Sequence, residues 1–489
     1  MTKMSLGDVL AYQVKRDPDH VAIVCGDASI TRLELEQVSN RAAHAFADLG
    51  VLAGDLVTIV LPNGIDFYVA TLAAWKLGAT PQPISTRLAP TERDEIIGLA
   101  DPALVVGLDP ALTAGRPTLP AGWTPATELP DTPVSDRPTS ACWKAMTSGG
   151  STGRPKIIVS KDPAERDPDA PSLGMTIDGV QLVPGPLHHN GPFMFSAFGL
   201  AIGATLVVMP RFDAAGALAL IERHRVDWVF LVPTMMHRIW RLPEAERDRY
   251  DISSLRFVYS TGAPWPVWLK EAWIGWLGAE KIFEGYGGTE GQGGTAISGV
   301  DALTHPGSVG KPATGFRMRV LDDEGRELPP GEVGEVYFMP DSGPGSTYAY
   351  IGAEPKIRDG WETIGDLGYL DADGFLYLVD RRTDLIVTGA ANVYPAEVEA
   401  AIDAFPGVRS SAVVGLPDDD LGQRVHAIVD VGDTGTPLAD DELVAHLRTR
   451  IAGYKVPRSF EFVSEPLRDD AGKVRRAALR DARLPVADS

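Results

Sequence analysis

Cysteine is almost absent: Cys25 and Cys142 are the only two in 489 residues. That excludes a disulfide scaffold and a thiolate-rich metal site. No run of eighteen apolar residues occurs, so no membrane-spanning helix is expected. Met1 to Arg16 lacks the charged, apolar and small-residue blocks of a secretory signal, and the cytoplasm is the expected compartment. Positive charge is also in short supply. Lys and Arg number 45 against 66 Asp and Glu, a formal net charge of −21. Such a surface repels nucleic acid and anionic lipid, so a phosphate-bearing ligand has to be met by a local pocket.

What is present is ordinary for a globular protein: 44% apolar and 23% charged residues. The length exceeds the roughly 100–200 residues of one domain, so two or three units are expected. With 51 Gly and 39 Pro, a helical bundle is excluded and a loop-rich α/β enzyme is favoured.

Along the chain, Thr31-Arg32-Leu33-Glu34 is a capping box. Leu35, Val38, Ala42, Phe46 and Leu49 follow at helical spacing, with Gly50 at the C-terminal cap position. A β-rich run from Asp55 to Leu61 and a helical stretch from Asp66 to Leu77 come next. Ala204 to Met209, Trp228 to Val232 and Arg256 to Tyr259 read as further strands, and Ala214 to His224 as a helix. Strands alternating with helices predict a mostly parallel sheet with its site at the strand C-termini. From Gly307 the texture changes to antiparallel strands joined by turns such as Asp373-Gly374. After Arg381 a compact unit of roughly 100 residues is expected, large enough for its own core. It has a helix starting at Pro395, strands at Ser411–Val414, Val425–Val431 and Phe460–Val463, and a helix at Asp440–Ile451.

The strongest chemical signal is Ser148-Gly149-Gly150-Ser151-Thr152-Gly153-Arg154-Pro155-Lys156. Its glycines let backbone N–H groups converge on an anion, and its hydroxyls and Lys156 add donors. It lacks the closing Gly-Lys-Ser/Thr of a Walker A loop.

This loop resembles the phosphate loop of the adenylate-forming superfamily, which includes acyl-CoA synthetases, luciferases and peptide-synthetase adenylation domains. Further segments resemble that family's stations in the same order. They are Asn40-Arg41, Gly54-Asp55, Leu61-Pro62-Asn63, Pro186-Leu187-His188-His189-Asn190-Gly191, Tyr286-Gly287-Gly288-Thr289-Glu290, Gly331 to Glu335, Gly365-Asp366, Asp380-Arg381 and Gly472-Lys473. The resemblance spans essentially the whole chain. It implies an α/β protein: a large N-terminal domain of mixed and parallel sheets with helices plus an antiparallel β subdomain, and a small mobile α+β C-terminal domain. The implied division is 1–380, a hinge at 381–384, and 385–489.

The resemblance also implies roles. Lys473 is the catalytic lysine, bridging an attacking carboxylate and the α-phosphate of ATP. Thr289 donates to phosphate, and Glu290 holds Mg²⁺, a hard cation that prefers oxygen. The nucleotide is expected against residues 148–153 with Lys156, against Gly262, Ala263 and Pro264, and against Tyr286, Gly287, Gly288, Asp366 and Arg381. His189 gates the acyl pocket, with His188 a weaker candidate. The implied pocket wall comprises Phe193, Phe195, Val232, Thr261, Gly262, Gly287, Gly288 and Gly293. Amino-acid-activating relatives carry an acid in the segment after the phosphate loop to hold the α-ammonium. Here 187–193 has none, and an unpaired buried ammonium is costly.

Residues 186–193 most resemble stand-alone acyl-CoA synthetases acting on bulky or ring-containing acids, and the resemblance implies ATP- and Mg²⁺-dependent activation of a bulky, aromatic or ring-containing acid as acyl-AMP, followed by transfer to CoA. No zinc site, nucleic acid or membrane partner is expected; a homodimer stays open. So does transfer to an amine or a carrier protein, because Thr383 and Ala390 depart from the family's usual hinge and tunnel residues. The chain ends shortly after Lys473, so no fused carrier domain is expected.

Overall fold

A computed structural model describes residues 3–149, 155–381, 384–388, 391–418, 421–432, 440–469 and 472–484. The expected Gly150 to Gly153 of the phosphate loop, Thr383 of the hinge and Ala390 lie outside the described residues.

Two sheets face each other across a layer of helices. The larger has nine strands. Its parallel centre runs through Val21–Cys25, Thr205–Val208, Val180–Val183, Trp228–Leu231, Phe257–Ser260 and Ile282–Gly287. Antiparallel strands Ala28–Thr31 and Gly294–Ser298 flank it. The smaller sheet is parallel, with Leu56–Ile59 between Thr80–Pro83 and Leu104–Val106. Helices Leu6–Arg16, Arg32–Asp48, Ile65–Lys76 and Asn190–Ala201 contribute to the core between the sheets. Ile65–Lys76 is buried almost all round, as a helix trapped between two sheets must be. Its one cation, Lys76, pairs with buried Glu36 at 2.7 Å. The capping box forms as read: Thr31 accepts from the Glu34 N–H and the Glu34 side chain reaches back to the Thr31 N–H.

A second core lies against the other face of the large sheet, under helices Ala214–His224, Pro233–Trp240 and Val267–Leu277. An antiparallel sheet follows, with Gly334–Pro340 pairing Phe316–Leu321, Trp361–Thr363 and Asp366–Leu370. Strand Leu376–Arg381 extends it.

The last unit has its own apolar cluster, including Ile386, Val398, Ile402, Val413, Val429 and Leu443. Pro395 opens its first helix, Pro395–Asp403. The strand read as Ser411–Val414 is longer, Ser410–Asp418, and forms a hairpin with Gly422–Asp430. This unit touches the N-terminal part through the Arg241 guanidinium, which donates to the Asp403 carbonyl, and through Arg475 beside Glu92 at 3.6 Å.

Candidate active site

Three layers converge at the C-terminal ends of the parallel strands. The first is the phosphate hairpin. Strands Ala145–Gly149 and Pro155–Ser160 pair so that Ser148 lies opposite Lys156 and Gly149 opposite Pro155. A third strand, Tyr348–Ile351, pairs with the second. That register carries Tyr350 to Lys156, whose ammonium sits 3.9 Å from the tyrosine ring centroid. The Lys156 ammonium also donates to Glu290 Oε1 at 3.2 Å, and the Tyr350 hydroxyl donates to the same oxygen at 2.6 Å. Glu290 is only 7% exposed. A buried carboxylate held by a cation and a hydroxyl suits a hard divalent ion that would also be bound by substrate phosphates. Among the described residues, no group of three His, Cys, Asp or Glu side chains could hold a metal by itself.

The second layer joins two sheets. Tyr286, at the end of Ile282–Gly287, donates its hydroxyl to Asp366 Oδ2 at 2.7 Å. Asp366 opens Asp366–Leu370 in the antiparallel sheet, after Gly365 at φ +87°. Backbone pairing sets Asp366 opposite Arg381. Thr289 is half-buried in the turn closed by the Gly291 N–H on the Gly288 carbonyl at 3.1 Å. Thr261 to Pro264 follow strand Phe257–Ser260 and are partly open. A Cβ on Gly262 would find only Val232, at 3.9 Å, so this glycine leaves room.

The third layer is the histidine loop. Asn63, just past Leu56–Ile59, accepts from the Leu187 N–H at 2.9 Å and donates to the carbonyls of Gly185 and Met209 at 2.8 and 3.0 Å. The loop so held ends at His189, the N-terminal cap position of Asn190–Ala201. The His188 and His189 ring centroids are 4.3 Å apart. Burial pushes both imidazoles down to about 3. After burial, His188 is lowered by His189 and Arg87, and His189 by Lys473 and Arg87. Both are neutral near pH 7, and the cations around them suit an incoming carboxylate rather than an ammonium.

Lys473 therefore lies within electrostatic reach of His189. Its exposed side chain follows Gly472, which is buried at φ +77° with its missing Cβ 2.9 Å from Thr234 Oγ1 on helix Pro233–Trp240. A side chain at 472 would obstruct this docking. The C-terminal unit thus presents its lysine to the crevice in the described arrangement.

Several expectations for the pocket wall need correction. Phe193 and Phe195 are two positions apart on one helix, so their side chains diverge by about 200°. Phe193 packs into the core between the sheets, with Trp143 and Trp75 rings 5.9 and 6.0 Å away. It is a core residue. Phe195 faces the other way, toward Phe230 and Tyr259 at 5.0 and 5.2 Å. Gly293 does not open space for a ligand, because a Cβ there would strike the Phe338 ring at 2.3 Å. Gly288 faces Glu290 Oε2 at 2.7 Å, and Gly287 faces the Gly293 carbonyl at 3.0 Å. Their missing side chains serve chain packing. The side chains of Ser148, Gly149 and Arg381 are not described, and 150–153 fall outside the described residues.

Two residues of this region escaped the sequence reading. Tyr350 comes from a strand nearly 200 positions after the hairpin, and only the alternation Tyr348-Ala349-Tyr350 hinted at it. Lys144 is the other, a charge amid the apolar approach to the phosphate hairpin. It is 5% exposed, bonds to Asn190 Oδ1, and lies 4.8 Å from the Trp143 ring centroid. Burial pushes its ammonium down to about 7, opposed by Asp162 and Glu290. The unfolded chain keeps this proton to the ordinary lysine range, whereas the folded chain releases it near 7. Across that interval the native state gains stability as pH rises. Lys144→Met is therefore expected to raise the melting temperature at about pH 6, and by less at about pH 9. Thermal scans at both values check it; an equal or larger gain at the higher pH contradicts a buried charge.

A parallel sheet, a separate three-stranded antiparallel sheet carrying the glycine-rich hairpin, and a lysine on a C-terminal unit meet at one crevice, the arrangement the resemblance to adenylate-forming enzymes implies. The AMP-binding enzyme profile matches residues 10–350, and the AMP-binding enzyme C-terminal domain profile matches 397–473. The chain belongs to the AMP-binding enzyme family, among the acyl-CoA ligases of the adenylate-forming superfamily. It is 32% identical over 510 residues to a feruloyl-CoA synthase of Amycolatopsis sp, covering 98% of this chain and 99% of the relative. The o-succinylbenzoate CoA synthetase of Bacillus subtilis, solved with ATP and magnesium, superposes with a TM-score of 0.82 at 27% identity, covering 98% and 100% of the two chains. An amide bond synthetase of Marinactinospora thermotolerans superposes with a TM-score of 0.80 at 28% identity, over 98% and 100%.

Proposed function

We propose that this enzyme couples a bulky, ring-containing carboxylic acid to CoA through an acyl-AMP intermediate. The carboxylate oxygen attacks the α-phosphorus of ATP, the bond to the β-phosphate oxygen breaks, and pyrophosphate leaves. The thiol of CoA then attacks the acyl carbon and AMP leaves. The observation carrying this reading is the approach of Lys473 to neutral His189 above the strand ends, with Gly472 seated on Thr234.

Each group has work that its position supports. The Lys473 ammonium offsets the repulsion between carboxylate and phosphate and stabilises charge growing on the transferring group. His189, uncharged, lines the acyl entrance without competing for the anion. Lys156 and the phosphate loop take the β and γ phosphates. Tyr286 orients Asp366, whose carboxylate accepts from the ribose hydroxyls. Glu290, with Thr289 beside it, would hold Mg²⁺, which supplies charge neutralisation for the departing pyrophosphate. Residues 1–380 would carry acid and ATP, and rotation about 381–384 would withdraw Lys473 and admit the thiol. Val232, 3.9 Å from the missing Cβ of Gly262, would line the space for the acyl group with Thr261.

The test is direct. A panel of aromatic, alicyclic and aliphatic acids is incubated with ATP and Mg²⁺, pyrophosphate is measured, and CoA or an amine is added. Pyrophosphate release with ring acids and thioester formation are expected. Absence of pyrophosphate release with every acid tested would refute adenylation. Amide without thioester would favour the second reading, transfer to an amine, which the likeness to the amide bond synthetase supports.

Asp366→Ala is expected to weaken ATP binding about tenfold or more, since hydrogen bonds to a charged group contribute about 1.5–3 kcal/mol. Calorimetric titration with ATP checks it, and an unaltered affinity would remove Asp366 from the ribose site.

A further inference from the structure

Glu399 lies on helix Pro395–Asp403 and is 3% exposed. Its Oε1 accepts from the Val413 N–H at 2.9 Å and Arg476 Nε at 3.0 Å. Its Oε2 accepts from Arg476 Nη2 at 2.8 Å and Arg468 Nη2 at 3.1 Å. One carboxylate therefore satisfies two guanidinium groups. Those groups stand on either side of the lysine turn, five residues before and three after Lys473.

Each arginine has a second engagement. Arg468 Nη1 donates to the Gly472 carbonyl at 3.3 Å, the peptide that leads directly into Lys473. Arg476 Nη1 donates to Asp384 Oδ2 at 2.8 Å, at the C-terminal end of the expected hinge. Asp469 closes the turn, accepting the Lys473 N–H at 2.9 Å and donating its own N–H to the Lys473 carbonyl at 3.0 Å. Removing the Glu399 charge would take from both guanidinium groups their shared carboxylate, which is 3% exposed, and breaking a buried pair is far more costly than losing an exposed one.

We infer that Glu399 is a positioning residue for adenylation: through Arg468 and Arg476 it fixes the peptide that carries Lys473 and ties that turn to the hinge side of its domain. The inference rests on the role proposed for Lys473. It deepens that role, because the lysine's aim is then set by a carboxylate 74 residues away in sequence rather than by the turn alone.

The variant is Glu399→Gln, which keeps the shape and removes the charge. Displacing a reacting group by about 1 Å can cost about a hundredfold, and a loss of that order in the rate of acyl-AMP formation is expected, with KM for ATP within about threefold. In a Lys473→Ala background the same substitution should cost less than about threefold, because coupled residues are non-additive. Independently of activity, trypsin should cut after Lys473 about tenfold faster in Glu399→Gln, with cleavage sites outside 468–476 unchanged, because local opening controls proteolysis. Arg468→Met, which spares the Arg476–Glu399 contact, should move the same three readouts in the same direction. An equal rate loss in both backgrounds, or unchanged cleavage after Lys473, would overturn the inference and make Glu399 a general stabiliser. Should the unmodified enzyme release no pyrophosphate with any acid, the proposed function falls, and the cleavage rate alone decides the role of Glu399.

Discussion

Replacing Lys473 with alanine is expected to cut acyl-AMP formation by about 10²–10³-fold, the scale of losing one charge-stabilising donor at a reacting centre. Thioester formation from supplied acyl-AMP should stay within about threefold of the unmodified enzyme, because the proposed rotation would carry this lysine away before the thiol arrives. The physical reason for the asymmetry is charge. Adenylation brings a carboxylate against a triphosphate, whereas thiolysis starts from an anhydride already formed. Pyrophosphate exchange and a coupled thioester assay separate the steps. Equal losses in both, or in neither, would deny Lys473 its assignment.

Lys270→Met is expected to destabilise the fold by about 3–5 kcal/mol, the cost of leaving a buried charge without its partner. Lys270 on helix Val267–Leu277 forms an ion pair with Glu284 in strand Ile282–Gly287, and both are almost wholly buried. Burial pushes the Glu284 carboxyl up while Lys270 draws it down. Without Lys270 the upward push is unopposed, so the folded protein binds a proton that the unfolded chain releases. Stability then falls as pH rises above the ordinary carboxylate range. Denaturant midpoints should show a larger deficit at about pH 8 than at about pH 5. Lys270→Met combined with Glu284→Leu should recover much of the loss, since an apolar pair can replace a buried ionic one. Glu284 stands two residues before Tyr286 on the same strand, so loss of the pair should also weaken nucleotide binding.

Much of the fold was legible because local signals agreed with the final structure. Thr31 and Glu34 announced a helix start, and Pro395 another. The continuous apolar run at Val229 matched a strand covered on both faces. Thr80–Pro83 was not legible, since Pro81 and Pro83 argue against a strand. It stands at the edge of its sheet, where missing donors are tolerated. The site divided along the same line. The motifs brought Tyr286, Glu290 and Gly472 forward as candidates, but not the contacts that Tyr286 and Glu290 make 80 and 134 positions away. The direction of a helix face could also have been read: Phe193 and Phe195 cannot share a wall at 100° per residue. Lys144, Tyr350 and Glu399 owe their meaning to partners 46, 60 and 77 positions away, which no local pattern encodes.

Asn63 has a consequence for substrate range. Its amide rivets the tips of strands from both α/β sheets, binding the loops after Val180–Val183 and Thr205–Val208 to the one after Leu56–Ile59. The entrance proposed for the acid would thus be built across a sutured seam. It cannot widen by sliding one sheet past the other without forfeiting three hydrogen bonds at once. Under that proposal, larger acids would be admitted by trimming a side chain such as Val232, leaving the backbone frame unspread.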